Sequence, residues 1–269
     1  AIDRARAASR LFLEQKGEPA THQQIHAAMI TGLAHHNQLA VEIFLQNRNQ
    51  SASEIQKLLE GVITEPGLLV QVDKETSALE SGKFWLKEPK DLQPPLIDRL
   101  EEQIVRLLIS EERISSTQAI STSYQAFPGL FTPRERHVLN CLESYADLSD
   151  PEKHIWILRE SERPDARRKD VKEIRGLLES IGQRLNYQVT GQDPLFWLER
   201  DITTPQFSFH VFSSAMISRH LGKPEDSAQM KMMVFPGSRA NLMAYKKQRD
   251  PILKEKMERC CIEVKFRLV

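Results

Sequence analysis

The first ninety residues constrain the fold more than any other part of the chain. Residues 3–16 (DRARAASRLFLEQK) put Ala7, Leu11 and Leu13 on one helical face. Gly17-Glu18-Pro19-Ala20 breaks the pattern. Thr21 then stands where an N-cap belongs, and Gln24 three residues on completes a capping box. Ser51 with Glu54 repeats that signature ahead of Ile55, Leu58 and Leu59. Residues 67–89 (GLLVQVDKETSALESGKFWLKEP) form two alternating runs around a polar tip, which predicts a β-hairpin.

Three helices followed by a hairpin is the plan of a winged helix-turn-helix, whose usual work is reading DNA or pairing with another protein. A recognition helix meets base edges through its N-terminal residues, and cations in the wing meet phosphate. The candidates are Gln50, Ser51, Ser53, Gln56 and Lys57 at the start of the third helix, with Lys74 and Lys83 in the wing. That helix carries little positive charge, so protein pairing stays open beside DNA reading.

Beyond a polar, proline-rich linker (87–95), residues 96–109 place Leu96, Leu100, Ile104, Leu107 and Leu108 at helical spacing. Ser115-Ser116-Thr117 caps a shorter helix to about Tyr124, and Thr132 with Pro133 starts one over 133–146. This middle stretch reads as all-helical, and it loosely echoes the start of the chain. From His154 the texture changes. HIWIL (154–158) reads as a buried strand and 165–185 as a helix. Two strand-like runs, 187–199 and 207–217, follow, the first broken at Gly191–Pro194. Then come a strand over 231–235, a helix capped by Ser238 and running to about Gln248, and a last strand from Cys261. The expected fold is α+β. A winged helix occupies 1–90, a helical module 95–150, and an α/β domain with a central sheet 153–269.

The 37 basic and 37 acidic side chains cancel. Positive charge is concentrated instead on 165–185 and toward the C-terminus. Arg167, Arg168, Lys169, Lys172 and Arg175 on one helix, with Arg239, Lys246, Lys247 and Arg249 on another, would make a continuous phosphate-facing surface if both helices lay on one side of the sheet. Three cysteines without framework spacing point to a reducing cytoplasm, and no run is long enough to span a membrane. The chain begins at Ala1 without an initiator methionine, so it reads as a piece of something longer.

Four stretches, 9–29, 126–148, 157–187 and 234–267, resemble the region C-terminal to the catalytic domain of large bacterial and archaeal DNA methylases of restriction-modification type. The resemblance implies an accessory DNA-binding or assembly part, with double-stranded DNA and a methylase or restriction protein as partners. It does not extend to the catalyst. Asp193-Pro194-Leu195-Phe196 lacks the second proline of the Asp/Asn-Pro-Pro-Tyr/Phe motif, and no glycine-rich loop for a methyl donor is present. No methyl transfer and no cofactor are expected of this chain alone. LFTPRERHVLNCL (130–142) looks like the start of a LuxR-type helix-turn-helix, but Ala146–Pro151 replaces that family's second helix.

One enzymatic alternative comes from Glu263 and Lys265. Glu-x-Lys on a strand is half of a PD-(D/E)xK nuclease site, in which the acid binds Mg²⁺ and the lysine polarises water. Asp193 or Asp201 could supply the second acid, while a solvated edge strand would show the same letters. His22 and His26 share a helix face at the spacing of a zinc pair, without a third ligand, and read as polar surface. Pro236-Gly237-Ser238-Arg239 reads as a strand-to-helix turn that can hold an anion or simply turn.

Overall fold

Capping chemistry sets where the second helix begins. The backbone N–H of Gln24 donates to Thr21 Oγ1 at 3.4 Å, and that of Thr21 donates to Gln24 Oε1 at 3.2 Å, closing the predicted box. The computed structural model describes residues 2–36, 56–57, 59–65, 67–73, 79–221 and 228–266. Helices and strands mix in an α+β architecture that divides into two compact units. One is Ala1–Leu96 with Pro128–Phe131, and the other is Ile97–Phe127 with Thr132–Val269.

The first unit runs α1 (Ile2–Lys16), β1 (Ala20–Thr21), α2 (His22–His36), a third helical stretch α3 (56–57 and 59–64), β2 (Leu69–Gln71) and β3 (Lys83–Leu86). The predicted hairpin is present, with Leu69 opposite Leu86 and Gln71 opposite Phe84. β1 pairs with the far side of β3, so the sheet order is β1-β3-β2. Leu13 is buried as expected, but Leu11 and Ala7 face solvent. The buried face of α1 is Ala5, Ser9, Phe12, Leu13 and Lys16. Two polar residues fit there because each finds a backbone acceptor, Ser9 Oγ on Ala5 O and Lys16 Nζ on Pro19 O. Glu18 lies 3.4 Å from the same ammonium. Gly17 ends α1 at φ 71°, and a Cβ there would stand 2.2 Å from the carbonyl oxygen of Gln93. Gly17→Ala is therefore expected to destabilise this unit by about 2 kcal/mol or more, read as a lowered denaturant midpoint.

The second unit opens with α4 (Leu96–Ser110), β4 (Ile114–Ser115), α5 (Ser116–Ala126), α6 (Glu135–Tyr145), β5 (Ala146–Asp150) and β6 (Ile155–Leu158). Two expectations are corrected here. The middle stretch is not all-helical, and the strand at 155–158 does not join the C-terminal sheet. β6 pairs antiparallel with both β5 and β4, giving the order β4-β6-β5. The reason is the hairpin turn at 151–154, which folds β6 back on β5 before the chain can reach the larger sheet. The connectivity repeats that of the first unit, strand for strand. So does the capping, since Ser115 Oγ accepts from Gln118 N–H as Thr21 does from Gln24. Thr132 does not cap α6, whose N-cap is Arg134, without a side-chain bond.

The remainder is a three-layer sandwich. α7 (Pro164–Arg184) precedes β7 (Gln188–Thr190), β8 (Leu195–Leu198) and β9 (Phe207–Val211). Then come β10 (Met230–Pro236), α8 (Ala240–Arg249), α9 (Pro251–Cys260) and β11 (Cys261–Phe266). The strands lie in chain order, antiparallel from β7 to β9 and parallel from β9 to β11. Alternation along the strands separates two faces. Phe209, Val211 and Val234 pack with Ile174 of α7, whereas Met233 and Phe235 pack with Leu242 and Met243 of α8 and with Leu253 and Met257 of α9. That second cluster also contains Leu100, Ile104, Val138 and Leu142, so the middle stretch and the sandwich share one core. No helix among the described residues is long and apolar enough to cross a membrane.

Candidate nucleic-acid interface

Placing α7 and α8 on opposite faces of the sheet removes the continuous basic surface. The parallel crossover from β10 to β11 carries α8 and α9 on one face, which leaves the other to α7. The expected phosphate contacts then sort by burial. Arg239 and Lys246 are fully buried, and neither can meet DNA. Arg239 lies against the Tyr145 ring, 3.4 Å from its centroid. Its guanidinium donates to the Glu162 carboxylate and, at 2.6 Å, to the carbonyl of Ser144. Lys246 Nζ donates to Asp98 Oδ1 and Glu101 Oε2, both at 2.5 Å, and to Ala215 O at 2.9 Å. Ser238 does not cap α8 either, because its hydroxyl donates to Glu162 at 3.0 Å.

Arg167 joins the same interior, holding Glu162 through Nε and Nη2 and Asp170 through Nη1. Burial by itself would raise the Glu162 carboxyl pKa, but the hydrogen bonds and charges of Arg167 and Arg239 outweigh it and hold it low. Burial raises Asp98, with Lys246 only partly offsetting it. Burial and the neighbouring Glu101 keep the Tyr145 hydroxyl protonated, and it donates to that carboxylate. Glu162, Asp98, Glu101 and Tyr145 were not singled out from sequence. One signal was available: Glu101 falls on the apolar stripe of α4, with Ile97, Ile104 and Leu108, where a carboxylate requires a buried cation.

What remains outward on α7 is Arg168, Lys169 and Lys172, with Arg175 half-buried in an ion pair to Asp193 at 3.0 Å. Arg168 pairs with Asp165 and Lys169 with Glu173. On the opposite face Lys247 pairs with Glu263, and Arg249 is half-buried beside Tyr245. Arg167, Arg168, Lys172 and Arg175 line a cleft of about 1000 Å³ within the second unit.

In the first unit Gln56 and Lys57 stand exposed on α3, Gln56 bonded to Glu60, while Leu59, Val62 and Ile63 turn inward. Lys83 is half-buried in β3. Gln50, Ser51, Ser53 and Lys74 lie outside the described residues. The third helix of the repeated module, α6, is differently placed. His137, Val138, Cys141, Leu142, Ser144 and Tyr145 are all buried, with the His137 ring on the edge of Tyr245 from α8. One face of that helix is packed against its own chain, and the outward face carries Glu135, Arg136 and Glu143, with Arg136 paired to Glu143.

The nuclease alternative meets a paired acid. Glu263 is bound to Lys247 on the edge strand β11, and no group of three metal-ligating side chains exists among the described residues. The His22 and His26 rings lie tilted against each other with centroids 3.9 Å apart, and His22 is buried toward Phe84 rather than on the surface. No protein-family model, curated protein or solved structure matches this chain.

Proposed function

We propose that this chain is a DNA-binding accessory part of a prokaryotic methylase or restriction-type system, working in the cytoplasm without catalysing methyl transfer itself. The observation that carries this reading is the connectivity of the first unit. Helix, strand, two helices and a hairpin, with sheet order β1-β3-β2, supports the winged helix-turn-helix reading. Its α3 turns Gln56 and Lys57 outward, as that reading requires of a recognition helix. The second module has the same connectivity, but most of its third helix is buried and its outward cation, Arg136, is paired with Glu143, so we assign DNA reading to the first module.

The buried face of that helix also favours a second reading. A winged module whose third helix packs on protein inside this chain is a precedent for the first module doing the same with a partner, as an adaptor.

Fluorescence anisotropy of a labelled duplex separates the two. Micromolar or tighter binding is expected, falling steeply with salt. Lys57→Gln should weaken binding and lower the salt slope by about 0.9 for each phosphate that is no longer neutralised. No binding at low salt overturns the DNA reading in favour of the adaptor.

A further inference from the structure

The cleft beside α7 has the chemistry of a ligand site rather than of a groove for duplex DNA. Its volume, about 1000 Å³, is at the upper end of small-molecule sites. One wall carries Arg168, Lys172 and Arg175 at i, i+4 and i+7, a single stripe of α7 about 10 Å long. Aliphatic side chains line the cleft as well, among them Ile109, Leu195, Val211 and Met216. Arg167 and Arg239 also border the cleft, but they belong to the Glu162 network and are already spent on it.

The three stripe cations are differently held. Arg168 is tied only to the exposed Asp165, and Arg175 to the half-exposed Asp193. Such surface pairs contribute little and exchange readily for a better anion. Arg175 Nε is buried without a hydrogen-bond partner among the described residues.

A glycine supplies the second observation. α7 contains Gly176 and Gly182, each of which weakens a helix relative to alanine by roughly 1 kcal/mol. Packing explains Gly182, where a Cβ would come within 2.8 Å of the Trp197 indole. It does not explain Gly176. That residue is exposed and borders the cleft, and an added Cβ would meet nothing within 4 Å. At this position the helix adds no side chain to the cleft.

We propose that this cleft binds a free nucleoside phosphate, with its phosphates on Arg168, Lys172 and Arg175 and its base against the aliphatic wall. Arg168 and Lys172 sit in the N-terminal half of α7 and Arg175 just past its middle, and Glu179 borders the cleft one turn further on. Phosphate alone would leave the apolar wall unused.

The test is isothermal titration calorimetry of the full chain, in EDTA and low salt, with ADP, GDP, CDP and UDP in turn. Pyrophosphate and the matching nucleoside serve as half-probes. At least one diphosphate is expected to bind at one site per chain, about tenfold or more tighter than either half-probe. Lys172→Gln and Arg175→Gln should each weaken it about tenfold. Gly176→Phe should abolish it without lowering the unfolding midpoint. The inference is overturned if no diphosphate binds, if pyrophosphate binds as tightly, or if Gly176→Phe leaves binding intact. Duplex DNA titrated in parallel keeps the two readings apart. DNA binding without nucleotide binding overturns only the cleft, and the reverse overturns only the DNA reading.

Discussion

Lys246→Met is expected to destabilise the second unit by about 3–5 kcal/mol, the usual consequence of removing one partner from a buried ionic set. The ammonium has three donors, and all three are used, on Asp98, Glu101 and the carbonyl of Ala215. Methionine fills much the same volume and offers no proton. Asp98 and Glu101 would then be left facing each other in an interior that already raises Asp98. Glu101 would keep only Tyr145 Oη and the Ala215 N–H on its other oxygen.

The destabilisation should be strongly non-additive. A triple variant, Asp98→Leu with Glu101→Leu and Lys246→Met, removes the charges together. It should recover most of the stability, because a buried ion set contributes little over apolar packing of similar volume. Urea unfolding of the single and triple variants checks this. A single variant destabilised by under about 1 kcal/mol would mean that water reaches the site. The set joins α4 of the middle module to α8 of the sandwich, so what it contributes beyond stability is the register of those two helices.

Much of this fold was legible because it is local. The Thr21–Gln24 and Ser115–Gln118 caps, the 69–86 hairpin and the helix at 164–184 depend on residues near one another in sequence. The errors lie where distant partners decide. β6 pairs with β4 forty residues upstream, and two residues of β4 carry too little pattern to announce themselves. In α1 the buried face includes Ser9 and Lys16, so a reading that counts only apolar residues sets the wrong phase.

The candidate site suffered most from one assumption, that positive charge lies at the surface. Arg239 and Lys246 read as phosphate contacts because their acids, Glu162, Asp98 and Glu101, are 77 to 148 residues away in sequence. Conversely, Lys57, Arg168, Lys169 and Lys172 stay exposed, since no distant acid among the described residues recruits them into the core.

Glu162→Gln is expected to cost a similar 3–5 kcal/mol near neutral pH, and its effect should depend on pH in a defined direction. The buried carboxylate accepts from Arg239, from Arg167 and from the Ser238 hydroxyl. Glutamine keeps the shape but leaves the Arg239 guanidinium uncompensated against the Tyr145 ring. Because the folded pKa of Glu162 lies below its unfolded value, its contribution is complete above the ordinary carboxylate range. It is lost as pH falls through the folded value. The gap between the parent protein and Glu162→Gln should therefore narrow on acidification below about pH 4. Asp98 has the opposite sign. Its raised folded pKa favours the folded state at low pH and opposes it as pH rises through that value, so it offsets part of the acid destabilisation in the parent protein. Asp98 is present in both proteins, and its effect cancels in the difference. Urea midpoints for the pair, taken from neutral pH downward, isolate Glu162, and a gap that stays constant with pH would show that its charge is not what holds Arg239 in place.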